Sequence, residues 1–393
     1  MDQDINRFQG QPTSARKKIL FVITQSEMGG AQMFLLQLLT HVRRDAYDLT
    51  IAVGSDGDGS FSRALGGIGI TPLIIKSLKR DPHPISDIRA IYEIRDIINS
   101  LQPATLFLLS SKAGFIGSLA GQLARQRPVV IYRIGGWTFN DPWPAWKRQL
   151  WKGLERTSGP WKDYIIVNNT HDLIQARQFH IEPSKGLELI YNGIEPYGNG
   201  TLAPDAARAK LLELCGLSAN NTAKIACTIA NFYPAKGLET LLEAAALLKD
   251  ENLVFIIIGD GQERPRLQQK IAALGLQRSV FLPGALENAR QYLPGAQVFV
   301  LPSLKEGFPW SVLEAMAAKI PVVATRVGAV PEVLDNGKSG IIVESGKPVE
   351  IKEAVLTVLH QENLAREMVI QAHQTLVKSF SITSMIEKIE TLL

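Results

Sequence analysis

Two glutamates with seven residues between them, Glu306 and Glu314, stand in the run Leu301-Pro302-Ser303-Leu304-Lys305-Glu306-Gly307-Phe308-Pro309-Trp310-Ser311-Val312-Leu313-Glu314. An apolar strand from Val298 to Leu301 leads into the run. A glycine turn at Gly307, a helix from Trp310 to Ala318 and a second strand from Pro321 to Thr325 follow. A polar segment so placed lies at the carboxyl end of parallel strands, where open α/β sheets bind ligands. The helix start leaves the amides of Phe308 and Trp310 free to hold an anionic diphosphate. Pro309, which has no N–H of its own, presets the first turn. Glu306 comes before the helix and faces whatever is attached to that phosphate. Glu314 sits one turn inside and can accept two hydrogen bonds from a vicinal diol such as a ribose. The plainer alternative is a solvated helix that happens to carry two acids.

Other turns could join this site. Gly29-Gly30 follows the first strand and precedes a helix, so the backbone there can approach a ligand closely. It lacks the full Gly-x-Gly-x-x-Gly pattern, which argues against a nicotinamide enzyme. Lys236-Gly237 opens the first helix of the second half, and its ammonium is either a metal-free counter-charge for a diphosphate or a solvated helix-start lysine. Gly259-Asp260-Gly261 follows a strand from Val254 to Ile258, with Arg264 just beyond it. No acidic triad with Asp-x-Asp spacing marks a metal site at a strand end, so no divalent metal is expected.

The elements that must position these residues repeat one pattern twice. Near-continuous apolar strands, from Ile19 to Thr24 through Leu187 to Tyr191, alternate with helical segments such as Ala31 to His41. The same alternation restarts at Lys224 to Ala230 and runs to Gly340 to Val343. Fully apolar strands alternating with helices imply parallel sheets covered on both faces. Between the halves, Glu195-Pro196-Tyr197-Gly198-Asn199-Gly200 reads as a hinge. A chain of 393 residues suits two domains. With only Cys215 and Cys227, both thiols are expected reduced in a cytoplasmic protein. No apolar run reaches the length of a membrane span. The net charge is +5 over residues 1–197 and −1 over the rest, which suits an anionic lipid surface or acceptor. Nucleic acid is not an expected partner, because no basic and aromatic stripe continues over one element.

Glu-Gly-Phe-Pro, then Leu-Glu-Ala-Met-Ala, then Pro-Val-Val-Ala-Thr resembles the donor-site signature of the family 4 retaining glycosyltransferases. Gly29-Gly30, Ser111-Lys112-Ala113-Gly114, Asn192-Gly193-Ile194, Lys236-Gly237, Gly259-Asp260-Gly261 with Arg264, and Pro331-Glu332-Val333 match in the same order, from about residue 17 to 393. The resemblance implies the GT-B fold, two doubly wound Rossmann-like domains facing across a cleft. It divides the chain into a disordered tail (1–16), an acceptor-binding domain (17–197), a nucleotide-sugar-binding domain (198–378) and a helix crossing back to the first domain (379–393). It implies transfer of a hexose from a UDP- or GDP-sugar to a hydroxyl of a glycan or lipid-linked acceptor, with no further cofactor. Glu306 would position the sugar, Glu314 the ribose, and Lys236 with the amides of Gly307, Phe308 and Trp310 the diphosphate. Gly259, Gly261, Arg264 and Gly284 would lie near the base and ribose.

Two departures keep other readings open. Gly135-Gly136 stands where many relatives have His-Gly, and Ala230-Asn231 where the pattern has Gly-Arg. Asn231 can donate a hydrogen bond but carries no charge. A nucleotide-sugar-binding protein with weak or no transfer, or a phosphorylase or epimerase of the same fold, are the alternatives. Five of the six tryptophans fall between residues 137 and 161, interleaved with Lys147, Arg148, Lys152, Arg156 and Lys162. Trp146, Leu150 and Leu154 share one helical face. Either that stripe faces the core with a solvated basic back, or the segment docks on anionic membrane at the inner face of the plasma membrane through Trp143 and Trp151, which flank the stripe, beside Lys147, Arg148 and Lys152.

Overall fold

The computed structural model describes residues 16–141, 143–196 and 200–393. The expected tail up to residue 15, and residues 197–199 of the expected hinge, lie outside them. Thirteen strands form two sheets among the described residues. The first holds β1 (Lys17–Gln25), β2 (Tyr47–Asp56), β3 (Leu73–Ile75), β4 (Thr105–Leu109), β5 (Val129–Arg133), β6 (Tyr164–Val167) and β7 (Gly186–Leu189). The second holds β8 (Lys224–Ile229), β9 (Leu253–Ile258), β10 (Val280–Gly284), β11 (Val298–Leu301), β12 (Val322–Thr325) and β13 (Ile341–Val343). The orders are β3-β2-β1-β4-β5-β6-β7 and β10-β9-β8-β11-β12-β13, every pairing parallel.

Both orders follow from the apolar runs. Central strands such as β4 and β9 are buried along their whole length, so helices must cover both faces. Alternate side chains then serve opposite layers. Phe21 and Phe107 pack on one face of the first sheet, and Leu20, Leu106 and Leu108 on the other. In each sheet the winding reverses once, between β1 and β4 and between β8 and β11. At such reversals the loops after the two strands diverge and leave a crevice. Strand ends depart from the sequence reading by up to three residues, with one informative case. The run from Leu187 leaves the sheet at Leu189, and the Tyr191 ring instead meets Phe308 and Phe380 of the second half, at 5.7 and 5.3 Å.

The last helix, Ile382–Glu390, buries Ile382, Met385, Ile386 and Ile389 in the same layer as Phe21 and Phe34 of the first sheet. Each such aliphatic side chain contributes about 1.5–3 kcal/mol. Polar contacts fix the docking: Arg43 to Glu390 at 3.0 Å, and the Thr105 hydroxyl donating to the Leu393 carbonyl at 3.1 Å. Cys215 and Cys227 are free thiols, each pushed up to about 12 by burial, which leaves them unreactive.

The tryptophan-rich helix, Ala145–Ser158, corrects one expectation. Trp146 is 70% exposed and Leu150 52% exposed, so the apolar stripe does not face the core. A buried polar node orients the helix instead. Glu155 accepts from the Tyr132 hydroxyl at 3.1 Å and from Lys162 at 3.2 Å, and Lys162 also donates to Ser158 at 2.7 Å. Leaving that buried pair unmatched would cost about 3–5 kcal/mol, comparable to exposing two apolar side chains. Trp151, one turn before Glu155, packs inward against the core, so it does not join a membrane-facing patch.

Candidate active site

The loops after β8 and β11 meet at the second sheet's winding reversal. Gly237 has φ +60, and a Cβ there would lie 2.2 Å from the Pro302 carbonyl oxygen, so only glycine lets the two loops touch. The amides of Leu304 and Lys305 then donate to the Ala235 carbonyl at 2.8 and 3.1 Å. This zipper brings Lys236 Nζ to 2.7 Å from Glu306 Oε1, and the Ser303 hydroxyl donates to the same oxygen at 2.6 Å. The Glu306 side chain is 7% exposed and that of Lys236 27%. An ammonium has three donors and one is used here, while Glu306 Oε2 makes no hydrogen bond to a described residue. The pair can therefore offer a cation and a carboxylate oxygen to one ligand.

The helix Trp310–Ala317 begins directly after this loop, with Pro309 at its N-cap. The amides of Phe308 and Trp310 donate to no other described residue. Glu314 lies on this helix, half-buried. Burial holds its carboxyl above the ordinary carboxylate range, partly offset by Arg290. The Phe308 side chain is buried against Tyr191 and Phe380, so its amide alone can face a ligand.

The remaining second-half residues have structural duties of their own. Gly259 and Gly261 have φ +147 and +152, and a Cβ at Gly259 would meet the Ala230 carbonyl at 1.8 Å. Arg264 donates to Asp260 at 2.7 Å and to the carbonyls of Gly259 and Leu282 at 3.0 and 3.2 Å, tying the ends of β9 and β10 together. Its hydrogen bond holds Asp260 below the usual carboxylate range. Gly284 closes β10 with φ +105. Asn231 is exposed just after β8.

The first sheet presents its own reversal loops to this surface. The Trp310 indole donates to the Gly30 carbonyl at 3.2 Å, and a Cβ at Gly30 would lie 3.7 Å from that ring. The Tyr233 hydroxyl donates to Glu27 at 3.0 Å, and Lys305 pairs with Asp141. The Gly307 backbone lies on Gly135, where a Cβ would come within 2.0 Å of the Gly135 carbonyl oxygen. Glu332 accepts from the Thr170 amide at 2.8 and 3.0 Å, the Thr170 hydroxyl at 2.7 Å and the Tyr191 hydroxyl at 2.8 Å. Thr170 opens the helix Thr170–Gln178, so a second-half carboxylate caps a first-half helix.

Sequence reasoning gave no role to Ser303, Tyr233, Glu27, Asp141 or the Glu332 carboxylate. Ser303 carried a signal, a hydroxyl three residues before Glu306. The others carried none, because their partners lie more than 140 residues away. Asp56-Gly57-Asp58 has Asp-x-Asp spacing at the end of β2. Asp56 accepts from the Arg80 amide at 2.8 Å, and Asp58 from the Ser60 amide and hydroxyl at 2.8 and 2.6 Å. The Ser60 bonds hold Asp58 below the usual range, as a loop-capping acid.

Comparison with known proteins agrees with this architecture. The sequence model described as "Glycosyltransferase Family 4" matches residues 28–196, and that described as "Glycosyl transferases group 1" matches residues 216–375. The chain is 23% identical to the Escherichia coli UDP-Gal:alpha-D-GlcNAc-diphosphoundecaprenol alpha-1,3-galactosyltransferase, over 97% of each chain. It is 27% identical to the Bacillus anthracis N-acetyl-alpha-D-glucosaminyl L-malate synthase, over 70% of each. Among solved structures, Anabaena Alr3699/HepE in complex with UDP and glucose superposes with a TM-score of 0.81 at 20% identity, covering 96% of this chain and 99% of that one. Sucrose-phosphate synthase from Thermosynechococcus elongatus gives 0.80 at 17% identity, covering 96% and 98%. With two such sheets wound around facing crevices, and both halves matched, this chain belongs to the group 1, family 4 glycosyltransferases of GT-B fold.

Proposed function

We propose that this glycosyltransferase moves a hexose from a nucleoside diphosphate sugar, UDP- or GDP-linked, to a hydroxyl of a glycan or lipid-linked acceptor, with retention at the anomeric carbon. The observation that carries the reading is the Lys236–Glu306 pair, fixed by Ser303 at the second sheet's reversal and next to a helix N-terminus. In this reading Lys236 and the amides of Phe308 and Trp310 stabilise negative charge on the leaving diphosphate, a preorganised electrostatic role. Glu306 Oε2 accepts from a hydroxyl of the donor sugar, and Glu314 from the ribose. The anomeric carbon–oxygen bond to the diphosphate breaks and the acceptor oxygen bonds on the same face. The acceptor proton passes to the leaving phosphate oxygen, so no protein base is needed and Gly135 need not carry one.

One relative named above is a diphosphoundecaprenol galactosyltransferase and another an L-malate synthase, and both names carry alpha linkages. The first name supports a cell-envelope or polysaccharide setting, with work at the inner face of the plasma membrane. No described helix is long and apolar enough to cross a membrane. Contact with anionic lipid would fall to Trp143, Trp146 and Leu150, all exposed, beside Lys147 and Arg148.

The test is a thermal-shift screen across UDP, GDP and ADP and their hexose conjugates, followed by transfer to lipid-linked acceptor extract with and without chelator. Stabilisation by one nucleotide family and an alpha-linked product from an alpha-linked donor, undiminished by chelator, support the reading. Tight nucleotide binding with no transfer would replace it with a binding protein. Activity lost to chelator and restored by magnesium would overturn the role given to Lys236.

A further inference from the structure

Arg133 ends β5, an otherwise apolar strand, and only 2% of it is exposed. Its guanidinium stacks on the Phe34 ring at 3.8 Å and donates from Nη2 to Asn192 Oδ1 at 2.6 Å. Its Nε is buried without a hydrogen-bond partner, and so is Nδ2 of the same Asn192. Nη1 makes no hydrogen bond to a described residue, and a Cβ on Gly135 would begin 3.7 Å from it. Three donors on two touching side chains thus share no acceptor. Native interiors rarely leave such groups unmatched. Burial alone acts on the guanidinium, lowering its pKa to about 9, with no carboxylate offsetting it. Stacking on Phe34 offsets part of the desolvation but supplies no hydrogen-bond acceptor.

The place matters as much as the charge. Gly135 is the residue whose carbonyl lies against Gly307, one position beyond Glu306. The Gly135 position beside Nη1 therefore lies where the two halves touch, on the first-sheet side. Glycine there places no side chain beside Nη1, which a Cβ would approach to 3.7 Å.

We propose that Arg133, with Asn192, is a specificity-determining anion site that Gly135 uncovers, taking a carboxylate or phosphate oxygen of the substrate that lies on the first-sheet side of the cleft. This rests on the donor site proposed above. The oxyanion has two possible sources, the acceptor or an acidic sugar on the donor, and both present oxygens to the same three donors. A planar guanidinium suits either, since it recognises carboxylate and phosphate in the same fork geometry.

The experiment is titration calorimetry on the full chain, with and without saturating UDP. The acceptor-side probes are glucuronate, glucose 1-phosphate and neutral glucose. The donor-side probes are UDP-glucuronic acid against UDP-glucose. Wild type should bind the acidic member of one series at least tenfold tighter than its neutral counterpart, and the series that discriminates names the source. Arg133→Lys should keep part of that preference and Arg133→Gln should abolish it. Gly135→Ala, which sets a methyl 3.7 Å from Nη1 at a position without positive φ, should reduce the preference without lowering Tm and covers the case of a misfolded Arg133 variant. Equal affinity for acidic and neutral probes in both series, or a preference that survives Arg133→Gln, would overturn the inference and leave Arg133 as a structural cation. UDP binding is read in the same titrations. Its loss would overturn the donor reading instead, while the comparison of free sugars still decides this one.

Discussion

Glu332 offers the sharpest test of how the two halves are held. Its carboxylate receives four donated contacts from two first-half residues, at 2.7 to 3.0 Å. Hydrogen bonds to a charged group contribute about 1.5–3 kcal/mol net, and a carboxylate at a helix N-terminus about 0.3–1 kcal/mol more. These contacts share one carboxylate and do not add. Glu332→Gln keeps one carbonyl oxygen for Thr170 but loses the charge and the second acceptor, a loss of about 2 kcal/mol in docking. That lowers the ratio of closed to open forms about 30-fold. The Lys236–Glu306 pair is made within the second half, so nucleotide affinity should stay within about twofold of wild type. Turnover should fall, because the two halves face each other for less of the time. Small-angle scattering should show a larger radius of gyration for the variant. Tyr191→Phe, which removes one of the four contacts, should move both readouts the same way by less. An unchanged radius together with an unchanged kcat in Glu332→Gln would refute the docking role.

Three further outcomes follow from the same geometry. Glu314 has its pKa raised by burial, so ionising it costs folding free energy once pH exceeds its unfolded value, and the cost is complete above the folded one; Glu314→Gln should therefore raise Tm at neutral pH while weakening nucleotide binding by calorimetry, and a drop in Tm would contradict the account. Lys236→Met should lower stability by about 1–3 kcal/mol, since Glu306 is left buried without its cation, and adding Glu306→Gln should recover part of that loss in urea unfolding. Replacing Lys147 and Arg148 with Gln and Trp146 with Ser should release the protein from anionic vesicles at low salt, each basic residue being worth about 1 kcal/mol at such a surface; wild-type protein that fails to sediment with those vesicles would exclude membrane docking.

The doubly wound halves were legible because their strands are apolar from end to end, and few other layers can bury such segments. The segment from Leu301 to Glu314 was legible as a site because a polar turn, a proline and a helix start follow a buried strand in fixed order. What the sequence hid depends on distance along the chain. Glu332 and Thr170 are 162 positions apart, and neither carries a local mark of the other. Glycines show the same limit. Gly237 read as a helix start, Gly307 as a turn and Gly259 as a neighbour of the nucleotide, and a Cβ at any of them would strike a carbonyl of another loop. A sequence shows that a backbone must pass closely, but not what it passes. The tryptophan helix was ambiguous because a period of 3.6 marks an apolar face without saying which face the fold buries. The buried Glu155–Lys162 pair, seven residues apart, decided that instead.

The segment that bears the candidate chemistry also bears the closure. Lys305 pairs with Asp141 of the first half, and Glu306 turns back to Lys236 and Ser303 of the second. The Gly307 backbone lies on Gly135, the Phe308 ring enters the cluster with Tyr191, and the Trp310 indole reaches Gly30. Gly328 presses on the same segment from behind, where a Cβ would come 2.2 Å from the Glu306 carbonyl oxygen. With contacts alternating between the two halves along so few residues, the domains cannot separate without breaking the Lys305, Gly307 and Trp310 contacts, while the Lys236–Glu306–Ser303 set stays within the second half. Variants of the residues that dock the halves should therefore show a fall in kcat with the fold and nucleotide affinity intact. That double role gives a reason for so dense a run of glycine, proline and aromatic residues at this turn. Proline fixes φ, the rings fix the packing and glycine permits the close backbone contacts, in a segment that must hold its geometry on two sides at once.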